Sequence, residues 1–199
     1  MNELLQEIND LAGKIGRPLK LMEVCGTHTV EIFRHGIRSV IPGSITLLSG
    51  PGCPVCVTSI HDVDAAISIA KLPDTVLVTF GDMMRVPGGK QSLMEARSEG
   101  ADVRVLYSPM DALKLAQQEP QKQVVFFATG FETTSPLIAG TVFAAARQGV
   151  KNFSIFSSHK TVPLAIKALL GSPDVKVDGF IMPGHVSTMI GLKPYAFIA

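Results

Sequence analysis

The chain has three cysteines, Cys25, Cys53 and Cys56. Two form a Cys-x-x-Cys pair inside Gly50-Pro51-Gly52-Cys53-Pro54-Val55-Cys56, and the third opens Cys25-Gly26-Thr27-His28-Thr29. Each motif follows an apolar run, at residues 19–24 or 45–48, and leads into a turn and a helical pattern. A thiol at such a strand end is exposed and near a helix N-terminus, where the helix dipole favours a thiolate. The chemistry open to it is soft-metal ligation or dithiol–disulfide exchange. The pair could instead be two small buried hydrophobes, but Pro and Gly on both sides disfavour a core position.

Other chemically capable residues recur at corresponding places. Gly81-Asp82-Met83-Met84-Arg85, Thr129-Gly130-Phe131-Glu132-Thr133-Thr134, Ser157-Ser158-His159-Lys160 and Pro183-Gly184-His185-Val186-Ser187 each follow an apolar run. Four of the five histidines (28, 61, 159 and 185) fall in or just after these loops. Open α/β sheets bind ligands at the carboxyl ends of their strands, so the loops are candidate site segments. Plainer roles compete at each. Glu132 or Thr133 can cap the helix that follows, His28 can be a satisfied loop histidine, and His185 can be a turn residue or a proton donor. Cys25, His28, Cys53 and Cys56 also match a Cys₃His structural zinc set. No Gly-x-Gly-x-x-Gly and no Walker loop occurs, which disfavours a nucleotide site.

The elements that must position these residues alternate. Strands are expected near 19–24, 45–48, 75–80, 103–107, 123–128, 152–156 and 177–182. Helices are expected at 2–14, 30–35, 59–71, 92–99, 111–118, 136–148 and 162–170. Continuous apolar strands alternating with helices predict an α/β protein with parallel sheets covered on both faces. The polar break at 117–122 is the expected boundary between two similar halves, 1–119 and 120–199, with a cleft at the strand carboxyl ends. Phe33, Phe126, Phe127, Phe143 and Phe156 are expected in the core. The last residues, Pro194-Tyr195-Ala196-Phe197-Ile198-Ala199, read like the start of another helix, so the chain is expected to be part of a longer protein.

Composition narrows the class. Of 199 residues 46% are apolar and 18% charged, a globular balance. Eighteen basic and 17 acidic residues give a net charge of +1, without the basic face that nucleic acid requires. No apolar stretch approaches the ~18 residues of a membrane span, and the N-terminus is no signal peptide. An odd number of cysteines argues against a secreted disulfide framework. The expectation is a cytoplasmic protein with neither nucleic acid nor membrane as partner.

In order along the chain, Cys25-Gly-Thr-His-Thr29, Gly50-Pro-Gly-Cys-Pro-Val-Cys56, Gly130-Phe-Glu-Thr-Thr134 and Pro183-Gly-His-Val-Ser187 resemble the hydrogenase maturation factor HypD family. The resemblance spans nearly the whole chain. It implies an assembly scaffold with redox-active cysteines rather than a conventional turnover enzyme. The cargo would be the Fe(CN)2CO unit of [NiFe]-hydrogenase, the partners a HypC-type small chaperone and a HypE-type cyanide donor, and the recipient, indirectly, the hydrogenase large subunit. By resemblance Cys25 is the iron ligand and Cys53 and Cys56 are the redox pair. Glu132, Thr133, His185 and the neighbouring loops line the cleft. His28, Thr27, Thr134 and Ser187 join them, the His and Thr side chains bonding the cyanide nitrogens. Family members also carry a C-terminal [4Fe–4S] cluster, but no cysteine follows Cys56 here. Two other classes compete: a thioredoxin-like dithiol oxidoreductase using Cys53 and Cys56, and the zinc module.

Overall fold

The computed structural model describes residues 2–198. The chain opens with α1 (Asn2–Ile15), β1 (Leu19–Glu23), α2 (Gly26–Arg34), β2 (Ile45–Ser49) and α3 (Ile60–Ala70). Next come β3 (Thr75–Thr79), α4 (Leu93–Ser98), β4 (Val103–Val105), α5 (Pro109–Gln118) and β5 (Gln123–Ala128). It ends with α6 (Ser135–Arg147), β6 (Phe153–Ser157), α7 (Val162–Leu170), β7 (Gly179–Ile181) and α8 (Gly184–Ile190). All seven strands pair in parallel, so the expected α/β class with two parallel sheets holds. Among the described residues, no helix is long and apolar enough to cross a membrane.

The chain divides into two compact units, and the division does not fall at Glu119. One unit is Met1–Cys53 with Val162–Ala199, and the other is Pro54–Thr161. The break at 117–122 looked like a linker because it is charged and proline-containing. In fact β3 and β5, on either side of it, are hydrogen-bonded neighbours, with Thr75 opposite Gln123. Its charges pair locally: Arg104 bridges Asp102 at 2.8 Å and Glu119 at 2.5 Å, and Lys122 reaches both carboxylates within 3.0 Å. Paired charges on a tight helix-to-strand turn read, in sequence, like a solvated link.

In the first unit the strand order is β2-β1-β7, so the Cys25 strand is central. Leu19, Leu21, Ile45, Leu47 and Ile181 face a groove of about 530 Å³ that α1 and α2 border with Leu11, Ile15 and Ile32. Alternation along β1 puts Leu19, Leu21 and Glu23 on one face of the sheet.

The second unit has the order β4-β3-β5-β6. Every residue of β3 is buried, as a strand covered on both faces requires. Leu77 and Phe127 pack with Val63, Ala66, Met83 and Leu93 on one side. Val76, Val78 and Phe126 pack with Ala112, Ala116 and Ile138 on the other. Phe127 stacks on Phe156, with centroids 5.2 Å apart, and Phe126 meets Phe80 edge-on at 5.3 Å.

Two phenylalanines expected in the core are outside it. Phe33 is 63% and Phe143 71% exposed. Both lie on helix faces turned from their sheets, and Phe33 carries the Arg38 guanidinium 4.5 Å above its ring. Their apolar spacing satisfied the helical period without being part of the buried stripe. The expected cap also moves. The N-cap of α6 is Thr134, without a side-chain capping bond, so neither Glu132 nor Thr133 occupies that position.

Candidate functional site

Because β1 and β2 are parallel neighbours with Glu23 opposite Ser49, the loops that follow them leave the sheet side by side. Gly50 N–H donates to the Glu23 carbonyl at 2.8 Å, and Gly26 N–H donates to the Gly52 carbonyl at 3.0 Å. The two glycines are there for room. A β-carbon on Gly50 would stand 2.7 Å from the Glu23 carbonyl oxygen, and one on Gly52 would stand 2.4 Å from Cys25 Cα and N. No side chain fits in either space. The Gly-Pro-Gly segment therefore lets one backbone lie directly on the other rather than cradling a phosphate.

That contact brings two cysteines to the same place. Cys25 is the N-cap of α2 in extended conformation (φ −159°, ψ 124°), with its thiol free of any capping bond. Its carbonyl accepts from Thr29 N–H at 3.2 Å, which starts the helix one turn earlier than the sequence pattern implied. The Cβ of Cys53 lies 3.9 Å from where a β-carbon on Gly26, the first residue of α2, would be. Cys25 and Cys53 are half-buried thiols and Cys56 is exposed. The Cys53–Cys56 turn is tied to the start of α3 by Thr58, whose hydroxyl donates to the Pro54 carbonyl at 2.8 Å.

Behind Cys25 is a residue that motif reading missed. Glu23 is 1% exposed; one carboxylate oxygen accepts from Thr29 Oγ1 at 2.8 Å, and the other is buried with no partner. The signal was a glutamate inside the apolar run Leu21-Met22-Glu23-Val24, which a strand tolerates only for a reason. His28 is half-buried with Nδ1 enclosed and unpartnered, and it borders the apolar groove. Thr27 is exposed on the same turn.

The other predicted residues of this unit stand on α8, after β7, the second neighbour of β1. The sequence read Pro183–Ser187 as a turn, but it is the first part of a helix. His185 is exposed, whereas Ser187 Oγ is buried without a partner.

In the second unit Glu132, Thr133 and Thr134 follow β5, beside the segment that follows β6. That segment extends the ladder beyond the strands: Ser158 N–H donates to the Ala128 carbonyl at 2.8 Å and Lys160 N–H to the Gly130 carbonyl at 3.0 Å. His159 is thereby held over Gly130, its Nε2 3.0 Å from Thr134 Oγ1 and its Nδ1 3.2 Å from Ser157 Oγ. Burial lowers the His159 pKa, opposed by a weaker hydrogen bond to the Ala128 carbonyl. Asp62, in the first turn of α3, accepts from Ser158 Oγ and from Lys160 Nζ at 3.3 Å. These bonds, chiefly that from Ser158, hold its carboxyl below the usual range. Asp82 and Arg85 are exposed after β3.

Among the described residues, no group of three or more His, Cys, Asp or Glu side chains is arranged to hold a metal ion. The Cys₃His set of Cys25, His28, Cys53 and Cys56 is thus not assembled. The sulfur donors of the first unit are Cys25 and, close to it, Cys53. The residues present also do not fit a four-cysteine cluster, since the chain has three cysteines in all.

Compared with known proteins, residues 1–199 match the HypD family, described as "Hydrogenase formation hypA family". The chain is 53% identical over 200 residues to hydrogenase maturation factor HypD of Rhodobacter capsulatus, covering 98% of this chain and 53% of that protein. It is 46% identical over 201 residues to HypD of Escherichia coli K12, covering 99% of this chain and 54% of that one. HypD of Rhizobium leguminosarum bv. viciae is 48% identical over 204 residues, with 99% and 53% covered. The chain thus spans about half the length of these relatives.

Proposed function

The chain belongs to the HypD family, and from that premise we propose that it serves hydrogenase maturation by holding iron through the Cys25 thiolate while the Fe(CN)2CO unit is assembled. The single observation that carries this reading is the backbone contact that sets Cys25 against Gly52 and Cys53 against Gly26. A fold that needed only a turn after β2 would not require two glycines there, nor a cysteine on each side of the contact.

The chemistry suits the cargo. A low-spin iron loaded with diatomic ligands prefers a soft, strong donor, and a thiolate is one. Cys25 binds it as the thiolate, at the amino end of α2, where the free N–H groups and the helix dipole stabilise negative charge. One thiolate from this chain leaves coordination positions for a donor from a HypC-type partner and for ligands delivered by a HypE-type partner. Thr27 and His28 on the same turn, and His185 and Ser187 on α8, are assigned to steadying the unit. Cys53 and Cys56 are assigned as the dithiol, with two residues between them and Cys56 exposed.

The test is co-expression of the chain with a HypC-type partner, followed by infrared spectroscopy of the purified complex. Metal-bound cyanide and CO bands are expected. A complex that forms but contains stoichiometric zinc and no such bands refutes the proposal.

A further inference from the structure

Glu23 is almost wholly enclosed, and both of its ends are in use. Its carbonyl accepts from Gly50 N–H at 2.8 Å, at the start of the loop that carries Cys53. Its carboxylate accepts from Thr29 Oγ1 at 2.8 Å, in the first turns of the helix that Cys25 opens. The second carboxylate oxygen is buried with no partner. A buried polar atom left unpaired costs stability, and an apolar side chain at this point of β1 would avoid that cost.

Thr29 does not need Glu23 for its own hydrogen bonding. A helical threonine can bond the carbonyl four residues back. Thr141 and Thr188 do so here, to Leu137 and Gly184, each at 2.8 Å. For Thr29 that carbonyl is the one of Cys25, which accepts Thr29 N–H at 3.2 Å. The Cys25 thiol makes no capping bond, so the first turn of α2 lacks the fastening that a Ser or Asp cap would supply. The bond from Thr29 to Glu23 supplies a fastening from the strand instead.

We infer that Glu23 is the positioning residue of the Cys25 site. It draws the Thr29 hydroxyl away from the Cys25 carbonyl and fastens the head of α2 to β1, which leaves the thiol clear of any capping role. Through its own carbonyl the same residue fixes the loop that brings Cys53 alongside. The inference deepens the proposed function and rests on it only for the metal that the thiol takes. With an apolar side chain in place of Glu23, the Thr29 hydroxyl turns to the Cys25 carbonyl, as Thr141 and Thr188 turn to theirs. Back-bonding of that kind bends a helix. The head of α2 then moves, and the thiol moves with it.

The experiment has two arms. In the first, the Cys25 carbonyl signal is followed by ¹³C NMR in the chain itself, and unfolding by denaturant is measured on the same samples. Glu23→Leu is expected to shift that signal while its unfolding midpoint stays at or above that of the unsubstituted chain, because the unpaired carboxylate oxygen is gone. Glu23→Gln keeps the acceptor and Thr29→Ser keeps the hydroxyl, so both should leave the Cys25 signal in place. An unmoved signal in Glu23→Leu overturns the inference, since the carboxylate then holds nothing at Cys25. A Glu23→Leu chain less stable than the unsubstituted one, or unable to fold, also overturns it, since Glu23 is then kept for stability. The second arm reads the metal, by infrared spectroscopy of the complex with a HypC-type partner. Glu23→Leu should shift the cyanide and CO bands, and Glu23→Gln should leave them in place. Bands unmoved by Glu23→Leu overturn the positioning role. Absence of bands in the unsubstituted complex refutes the proposed function, while the first arm decides the role of Glu23 by itself.

Discussion

Gly52 lies so close to Cys25 that its missing side chain is part of the site. Its own carbonyl receives Gly26 N–H at 3.0 Å, and a β-carbon would stand 2.4 Å from Cys25 Cα. The clashing atoms are backbone, so nothing flexible can yield. Gly52→Ala is expected to part the two loops and cost about 1–3 kcal/mol or more, the range for overpacked positions. Gly13→Ala is the control: it sits within α1 with nothing inside 4 Å of an added methyl, and should stabilise by about 0.5–1 kcal/mol. Chemical denaturation of both variants checks the opposite signs.

A second prediction concerns the dithiol. Two residues separate Cys53 from Cys56, and Pro54 restricts the turn. Mild oxidation of the chain should remove two thiols and leave Cys25 titratable, with peptide mass mapping the bond to this segment. A bond from Cys25 to either partner shows the redox assignment to be wrong.

Glu23 is held by one donor. Thr29→Val removes it and leaves a carboxylate almost wholly buried without a hydrogen bond, at an expected cost of about 1–3 kcal/mol. Glu23→Gln in the Thr29→Val background should recover part of that loss, because the neutral amide is cheaper to bury. Equal stability of Thr29→Val and the unsubstituted chain would show that the bond contributes nothing.

The ion cluster of the second unit gives a pH dependence. The hydrogen bonds from Arg104, reinforced by Lys122, hold the Asp102 pKa down to about 2, from an ordinary 3.8. A depressed folded-state value means stability that is fully present above the unfolded pKa and lost as pH falls through the folded one. Unfolding free energy should therefore drop between about pH 4 and pH 2, and Asp102→Asn should flatten that part of the curve. An unchanged slope in the variant contradicts the pairing.

Much of this arrangement is legible in the chain because strand and loop signals coincide. The five residues of β3 are all apolar or β-branched, and Gly, Pro, Ser or Thr punctuates each strand end, so the parallel class and the strand positions follow from local pattern. The unit boundary was hidden because it depends on pairing between distant strands: nothing local at Cys53 or Thr161 says that β7 returns to β1. Phe33 and Phe143 show the converse limit, since helical period locates an apolar face without saying whether anything covers it. Within the site, Cys25 and the Cys53–Cys56 pair were marked by residue type. Glu23, Asp62 and the bond between His159 and Thr134 were not, because each acquires its meaning from a partner elsewhere in the fold.

Iron ligation by Cys25 is the claim on which the proposed function stands. Infrared spectra of the complex with a HypC-type partner should be compared for the unsubstituted chain and for Cys25→Ala, with circular dichroism showing that the variant is folded. Loss of both the cyanide and the CO bands in the variant is the predicted result. Bands of unchanged position and intensity in folded Cys25→Ala would contradict it and remove Cys25 from the ligand set.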